Sequence, residues 1–459
     1  MFLQKPRFLT PGRVPESFLT VRRGKQKRES EGGGGARQAR GKDFLDRSYH
    51  IDNERSCPIS LFGGAKYFTL SFRPSLSLIP LMLRNLLPRA AAATLAAGGT
   101  AATLGLTPSP TSCASGPAPL FTFGLVADIQ YADVDDAYNF ARTKLRAYRG
   151  ALDCVHNAVK DWLALPESSS PAPLSSSSCP PGPCSPVSFV LNLGDIIDQR
   201  NETLGQSRQA LESILSALRP LQERRAIPVY HLVGNHELYN LSRAEISELL
   251  DIRPPHYFSF APFHGWRFIV IDAYVENVID NIETTPKHEA AYTYLSQHNP
   301  NDLRGRGSVD WLAGLSGLER RFAPYNGAVG KAQLAWLRSE LAAAARLGER
   351  VVVSTHVPVG PGSCQDTTLL WNYDQVLQVL HAEETRGCVA AVLAGHDHAG
   401  GYRQDDHGVH HLTMPSPLNT SAHDRRAHAC VEVYDDRIEV RGRGLVPSRT
   451  LVLENRRGK

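Results

Sequence analysis

Five short apolar runs in this chain each end abruptly on a polar cluster, and that regularity limits what it can fold into. The clusters are Asp128-Ile129-Gln130 after the run at 121–127, Gly194-Asp195 after 188–193, and Gly234-Asn235-His236-Glu237 after 229–233. Two more follow downstream, Thr355-His356 after 351–354 and Gly395-His396-Asp397-His398 after 388–394. Runs of this length, apolar and bounded by Gly and polar residues, read as buried strands. Between them lie amphipathic stretches at 136–163, 202–225 and 331–346 that read as helices. Such alternation predicts an α/β architecture, in which ligands gather at the carboxyl ends of the strands. The five clusters are therefore expected to meet in one crevice. Further strands are expected at 268–271, 408–414, 429–434 and 437–441, the last two joined by an Asp435-Asp436 turn.

The side chains in these clusters suit a metal centre. On an extended backbone Asp128 and Gln130, one residue apart, would aim two oxygen donors at one face. Alone, that pair reads better as a strand end with a turn-forming Asp. A single Gly-Asp is also a weak signal, yet a carboxylate at Asp195 has two oxygens with which to bridge two cations. Asn235 offers a neutral oxygen, while the adjacent His236 stays free for proton or charge work. His396 and His398 would share a face, and imidazole suits borderline divalent metals. A lone His is usually a satisfied core or surface residue, but His356, His396 and His398 each follow a buried-type strand. Two ligand sets result: Asp128, Gln130, Asp195 and His398 for one cation, and Asp195, Asn235, His356 and His396 for the other. Two cations about 3.5 to 4 Å apart can acidify and orient a water and neutralise both oxygens of an in-line displacement. His236, outside both sets, is expected to stabilise a transferring phosphoryl group or to protonate a leaving group.

Composition bounds the partners. Hydrophobic residues at 42% and charged residues at 21% supply a sizeable core. One folded domain is expected over residues 119–459, with a Ser/Pro-rich loop insertion at 166–186. Residues 1–118, with Gly runs and no sustained periodicity, are expected to form a disordered extension. Residues 1–89 hold 17 Lys and Arg against 7 Asp and Glu, so the +4 of the whole chain leaves the remainder net acidic. An acidic body argues against tracking along nucleic acid, which needs clustered basic residues. No run has the apolar length of a membrane span. The segment from Met82, rich in Ala and Leu with Arg84 and Arg89, is similar to a mitochondrial or plastid import leader. A cytoplasmic location is the expectation, with organellar import as its alternative. The 8 cysteines are scattered and read as reduced thiols, and the Ser/Pro tract around Cys179 and Cys184 argues against a zinc knuckle.

In this order the five clusters resemble those of the calcineurin-like metallophosphoesterases. From about 121 to 446 the chain looks like the manganese-dependent ADP-ribose/CDP-alcohol diphosphatases. The resemblance rests on Phe123-Gly-Leu-Val-Ala-Asp-Ile-Gln-Tyr-Ala-Asp133, Leu193-Gly-Asp-Ile-Ile-Asp198, Gly234-Asn-His-Glu237 and Gly395-His-Asp-His-Ala-Gly-Gly-Tyr402. Arg441-Gly-Arg-Gly-Leu-Val-Pro447 adds weaker support. Gln130 stands where most of the superfamily carries a His, and its harder amide oxygen leans the first site towards Mn²⁺. The resemblance implies a four-layer αββα sandwich of two mixed β-sheets and a pair of divalent ions, Mn²⁺ first, with Zn²⁺, Fe or Mg²⁺ as alternatives. It implies hydrolysis of ADP-ribose to AMP and ribose 5-phosphate and similar cleavage of CDP-choline and CDP-glycerol, so small nucleotide diphosphates are the expected partners; a monomer is expected. Tyr131, Phe140, Tyr239, Trp371, Asn372 and Tyr373 are candidates for a base pocket, although core or loop packing is the better reading of each. The competing readings are a phosphodiesterase or phosphomonoesterase on the same scaffold and a non-catalytic interaction module. A third is a nucleic-acid or membrane-surface role for the basic tail.

Overall fold

Alternating side chains decide how the first strand is used. In β1 (Phe121–Val126), Phe121, Phe123 and Leu125 join a core shared with a second sheet, while Gly124 faces the Trp162 indole, which lies where a Cβ would stand. In this computed structural model, residues 118–139, 142–164, 185–280, 285–304 and 310–454 are described. The expected N-terminal extension up to residue 117, most of the Ser/Pro-rich insertion and Phe140 lie outside them.

After β1 a small ribbon pairs β2 (Ala137–Tyr138) with β3 (Leu145–Arg146), and α1 (Gly150–Leu163) follows. The continuous helix expected from residue 136 is thus absent from its first half. Asn139 Oδ1 accepts the N–H groups of Thr143 and Lys144, and Arg149 pairs with Asp133 and Asp135, so local side-chain bonds replace the first turns. Within α1, Ala151, Cys154, Val155, Ala158, Val159 and Trp162 recur at helical spacing and are buried. The stretch expected as one helix from 202 is also split. Gly205, at φ +64°, ends α2 (Arg200–Leu204) before α3 (Ser207–Arg225) begins.

The remaining elements are β4 (Val187–Asn192), β5 (Val229–His231), α4 (Asn235–Asn240), α5 (Arg243–Leu250), β6 (Phe258–Phe263), β7 (Trp266–Val270) and α6 (Pro286–His298). They continue with α7 (Lys331–Leu347), β8 (Arg350–Ser354), α8 (Tyr373–Leu380) and β9 (Val389–Ala394). The chain then forms β10 (Gly401–Gln404), β11 (His410–Thr413), β12 (Ala427–Val433), β13 (Arg437–Gly444) and β14 (Arg449–Val452). One sheet has the order β14-β13-β12-β1-β4-β5, the other β10-β11-β9-β8-β7-β6. Both are mixed: β1, β4 and β5 run parallel while β12 lies antiparallel to β1. In the second sheet β7, β8, β9 and β11 run parallel, with β6 and β10 antiparallel at its edges.

The sheets face each other across an apolar layer in which Phe123, Phe189 and Phe268 interlock, with Phe123 and Phe189 stacked at 5.1 Å. Helix α1 packs on the outside of one sheet and α7 on the outside of the other, which gives the four layers. Burial of the apolar surfaces between the sheets contributes on the order of 25 cal/mol per Å² of apolar area removed from water.

Candidate metal centre

Three polar clusters follow strands of the first sheet (β1, β4, β5) and two follow strands of the second (β8, β9), and they meet where these strand ends lie side by side. The strands are parallel within each sheet, so their carboxyl ends point the same way. The extended alternation expected for Asp128 and Gln130 does not occur. Asp128 (φ 51°), Gln130 (φ 45°), Asp195 (φ 56°) and His396 (φ 68°) all adopt the left-handed conformation that costs a non-glycine residue free energy. It turns the chain sharply at the ends of β1, β4 and β9 and brings the side chains back into the crevice.

The glycines opening two clusters serve the same end. A Cβ on Gly234 would fall on Asp195 Oδ1, and one on Gly395 would stand 2.5 Å from Asp128 Oδ2. Only bare backbone lets these carboxylates approach so closely.

Asp195 Oδ2 is the hub. It accepts from Gln130 Nε2 at 2.8 Å and lies 3.4 Å from His356 Nε2 and 3.9 Å from His236 Nε2. On one side of it Gln130 Nε2 is 2.9 Å from His398 Nε2, which is 3.7 Å from Asp128 Oδ1. On the other side Asn235 Oδ1 is 3.2 Å from His356 Nε2, and the His356 and His396 rings lie 5.1 Å apart. The structure thus brings all seven proposed ligands and His236 together around Asp195.

This donor set fits divalent cations. Asp195, His356 and His396 each offer a ligand atom, all within 4.8 Å of one another. Gln130 Oε1 is buried with no hydrogen-bond partner among the described residues, while Nε2 stands beside Asp195 and His398, so a half-turn of the amide would bring the unpaired oxygen to a cation there. Burial pulls His396 down to about 3 and holds His398 well below the usual imidazole range, so both stay neutral with a lone pair to give. Burial also pushes the Asp128 carboxyl up. It acts the same way on Asp195, but the imidazoles of His356 and His236 outweigh it and hold that carboxyl below the usual range. His356 is pulled down by burial yet pushed up to about 9 by the Asp195 charge. Two buried carboxylates demand positive charge here, and a divalent cation meets that demand as a proton does.

His236 differs from the others. Its Nδ1 accepts the backbone N–H of Gln199 at 2.9 Å, which leaves the ring proton on Nε2, the atom facing Asp195. Asp198 Oδ2 stands 3.6 Å from Nδ1. The sequence reading passed over Asp198, although its spacing in Gly194-Asp-Ile-Ile-Asp198 was a usable signal. It also passed over Glu237, whose buried carboxylate accepts the N–H groups of Asp195, Ile196 and Gly234 and so ties two clusters together. Tyr274 donates its hydroxyl to Asn235 Oδ1 at 3.0 Å, and Asp397 holds Gln365 and Thr368 against the last cluster. No local pattern marked Tyr274, whereas Asp397 lies within the Gly395-His396-Asp397-His398 cluster without having been given a role.

Of the base-pocket candidates, Trp371 and Asn372 are packing residues, bonded to the backbone at Ala323 and Val329, and Tyr131 lies in the core. Tyr239 adjoins His236, its ring 5.4 Å away. A second group, His381, Asp405 and His411, lies outside this centre. Asp405 Oδ2 already accepts from both imidazoles and Oδ1 accepts from the backbone of His407 and Val409, a hydrogen-bonded staple.

The calcineurin-like phosphoesterase family profile matches residues 157–400, the span that carries four of the five clusters. This chain belongs to the calcineurin-like phosphoesterases. Among its relatives is the manganese-dependent ADP-ribose/CDP-alcohol diphosphatase of Mus musculus, 34% identical over 359 residues that cover 74% of this chain and 96% of that protein. The Arabidopsis thaliana protein of the same name is 34% identical over 330 residues, covering 71% and 94%. A crystal structure of a dimetal phosphatase from Danio rerio matches at a TM-score of 0.62 and 34% identity, covering 73% of this chain and all of that one.

Proposed function

We propose that the chain is a manganese-dependent diphosphatase that hydrolyses the pyrophosphate bond of ADP-ribose, to AMP and ribose 5-phosphate, and of CDP-alcohols such as CDP-choline and CDP-glycerol. The observation that carries this reading is the single oxygen of Asp195 reached by Gln130 from one side, His356 from the other, and His236 from a third. Asp128, Gln130, Asp195 and His398 would hold one cation, and Asp195, Asn235, His356 and His396 the second. When bound, such a pair supplies charge neutralisation and an acidified water for an in-line displacement at phosphorus. His236 then directs its Nε2–H at the phosphoryl oxygen that gains charge. With Nδ1 already accepting from Gln199, hydrogen-bond donation is the role its orientation favours over proton transfer. The net acidic body suits small nucleotide diphosphates, not nucleic acid chains.

The test is hydrolysis by Mn²⁺-loaded protein of ADP-ribose, CDP-choline, cyclic AMP and p-nitrophenyl phosphate, repeated with Zn²⁺. Turnover of the first two, strongest with Mn²⁺, supports the reading. Activity confined to the last two makes the chain a phosphodiesterase or phosphomonoesterase instead.

A further inference from the structure

Asn326 lies between Phe322 and α7, outside any regular element, and its side chain is fully buried. Its Nδ2 donates to the carbonyls of Arg321 and Thr367, each at 2.8 Å, and its Oδ1 lies 2.7 Å from His396 Nε2. Carbonyls only accept, so the amide nitrogen must face those two groups. Exchanging the amide's oxygen and nitrogen would set an oxygen against two oxygens. Oδ1 can therefore only accept, and the His396 nitrogen facing it must carry a proton. A ring that ligates a metal is neutral and has one proton to place. The lone pair is left on Nδ1, so Nδ1 is the nitrogen with which His396 would join Asp195 and His356, whose ligand atoms lie within 4.8 Å of one of its own.

His356 is set the opposite way. Its Nδ1 donates to the Leu193 carbonyl at 2.8 Å, so once a cation displaces the proton that the Asp195 charge holds on this ring, the lone pair falls on Nε2, beside Asn235 and Asp195. As neutral rings the two neighbouring imidazoles thus keep their lone pairs on different nitrogens, and each choice is enforced by an oxygen that cannot donate.

We infer that Asn326 is a positioning residue of the metal centre, which fixes His396 as an Nδ1 ligand by holding the proton on Nε2. The inference rests on the proposed metal reading. Partners of this kind orient a ligating imidazole, and losing one typically lowers metal affinity about 10- to 100-fold. Asn326 also holds the Thr367 carbonyl, while Asp397 binds Gln365 and Thr368, so one short segment is secured from both sides of the last cluster.

The experiment uses the full chain with ¹⁵N-labelled histidine. In the metal-free wild type, long-range proton–nitrogen correlations are expected to show His396, assigned by its loss in His396→Gln, as the Nε2-protonated neutral form. An Nδ1-protonated ring overturns the inference even if no variant can be made. Mn²⁺ affinity, read from the EPR signal of free Mn²⁺, is expected to fall about 10- to 100-fold at one site in Asn326→Ala. Asn326→Asp keeps an acceptor for His396 while losing both carbonyl contacts, so its affinity should stay near the wild-type value while its Tm falls. A folded Asn326→Ala that binds Mn²⁺ as the wild type does overturns the inference alone. Wild-type protein that takes up no Mn²⁺ sinks the metal reading and this inference with it.

Discussion

Asp195 and His236 approach within 3.9 Å of each other but act at different stages. Asp195→Asn removes the charge shared by both ligand groups, so Mn²⁺ content is expected to drop together with turnover. His236→Ala is expected to keep its metal and lose kcat by about 10²- to 10⁴-fold, because its interaction is made chiefly in the transition state. Metal analysis beside steady-state kinetics separates the two, and equal metal loss would contradict the role given to His236. Gly395→Ala makes a narrower test. Its Cβ would press on the Asp128 carboxylate, so Mn²⁺ affinity should fall in a protein that remains folded. All eight proposed site residues were legible in the sequence, because each follows an apolar run and has the right donor chemistry. Asn326 and Tyr274 were not. Their partners are 70 and 39 residues away, and a lone Asn or Tyr in a loop carries no pattern.

Between elements, Glu237 holds the ends of β4 and β5 in register. It stands in the first turn of α4 and reaches back to three backbone N–H groups, those of Gly234, Asp195 and Ile196. Glu237→Ala leaves these donors without an acceptor, at roughly 1 to 3 kcal/mol each. A fall in unfolding free energy of about 3 kcal/mol or more is expected by denaturant titration, and a loss well under 1 kcal/mol would show that water replaces the carboxylate. The strands of the site were visible as buried apolar runs. The break before α1 was not, because it depends on Asn139 and Arg149 finding local partners, and helical periodicity is blind to that competition. Helices α6 and α8 also escaped notice. Helix α8 has only 8 residues over which a period can emerge, and α6, at 13, buries only His288, Ala291 and Leu295 and so shows little apolar stripe.

At the scale of the whole molecule, strand alternation revealed the α/β class but not that the five clusters come from two sheets. That division follows from which strands pair across long sequence separations; it came from the family resemblance, which implied two mixed sheets, and not from the alternation itself. The same burial that builds the sandwich adds to its acid sensitivity. Burial in the fold pulls His231 down to about 4, below its ordinary value near 6.5. Between those values the unfolded chain binds a proton that the folded one refuses. Stability contributed by the neutral ring is therefore complete above about pH 6.5 and declines as pH falls towards 4, by at most about 1.4 kcal/mol per pH unit from this group. His231→Gln, which does not titrate, should flatten that part of the Tm profile, and an unchanged slope would locate the acid sensitivity elsewhere.

The shared carboxylate is the centre of the account, and anomalous diffraction from crystals of the Mn²⁺-loaded protein tests it directly. Two peaks about 3.5 to 4 Å apart are predicted, both within bonding distance of Asp195, with Asp128, Gln130 and His398 around one and Asn235, His356 and His396 around the other. A single peak, or a pair of which Asp195 touches only one, would contradict it.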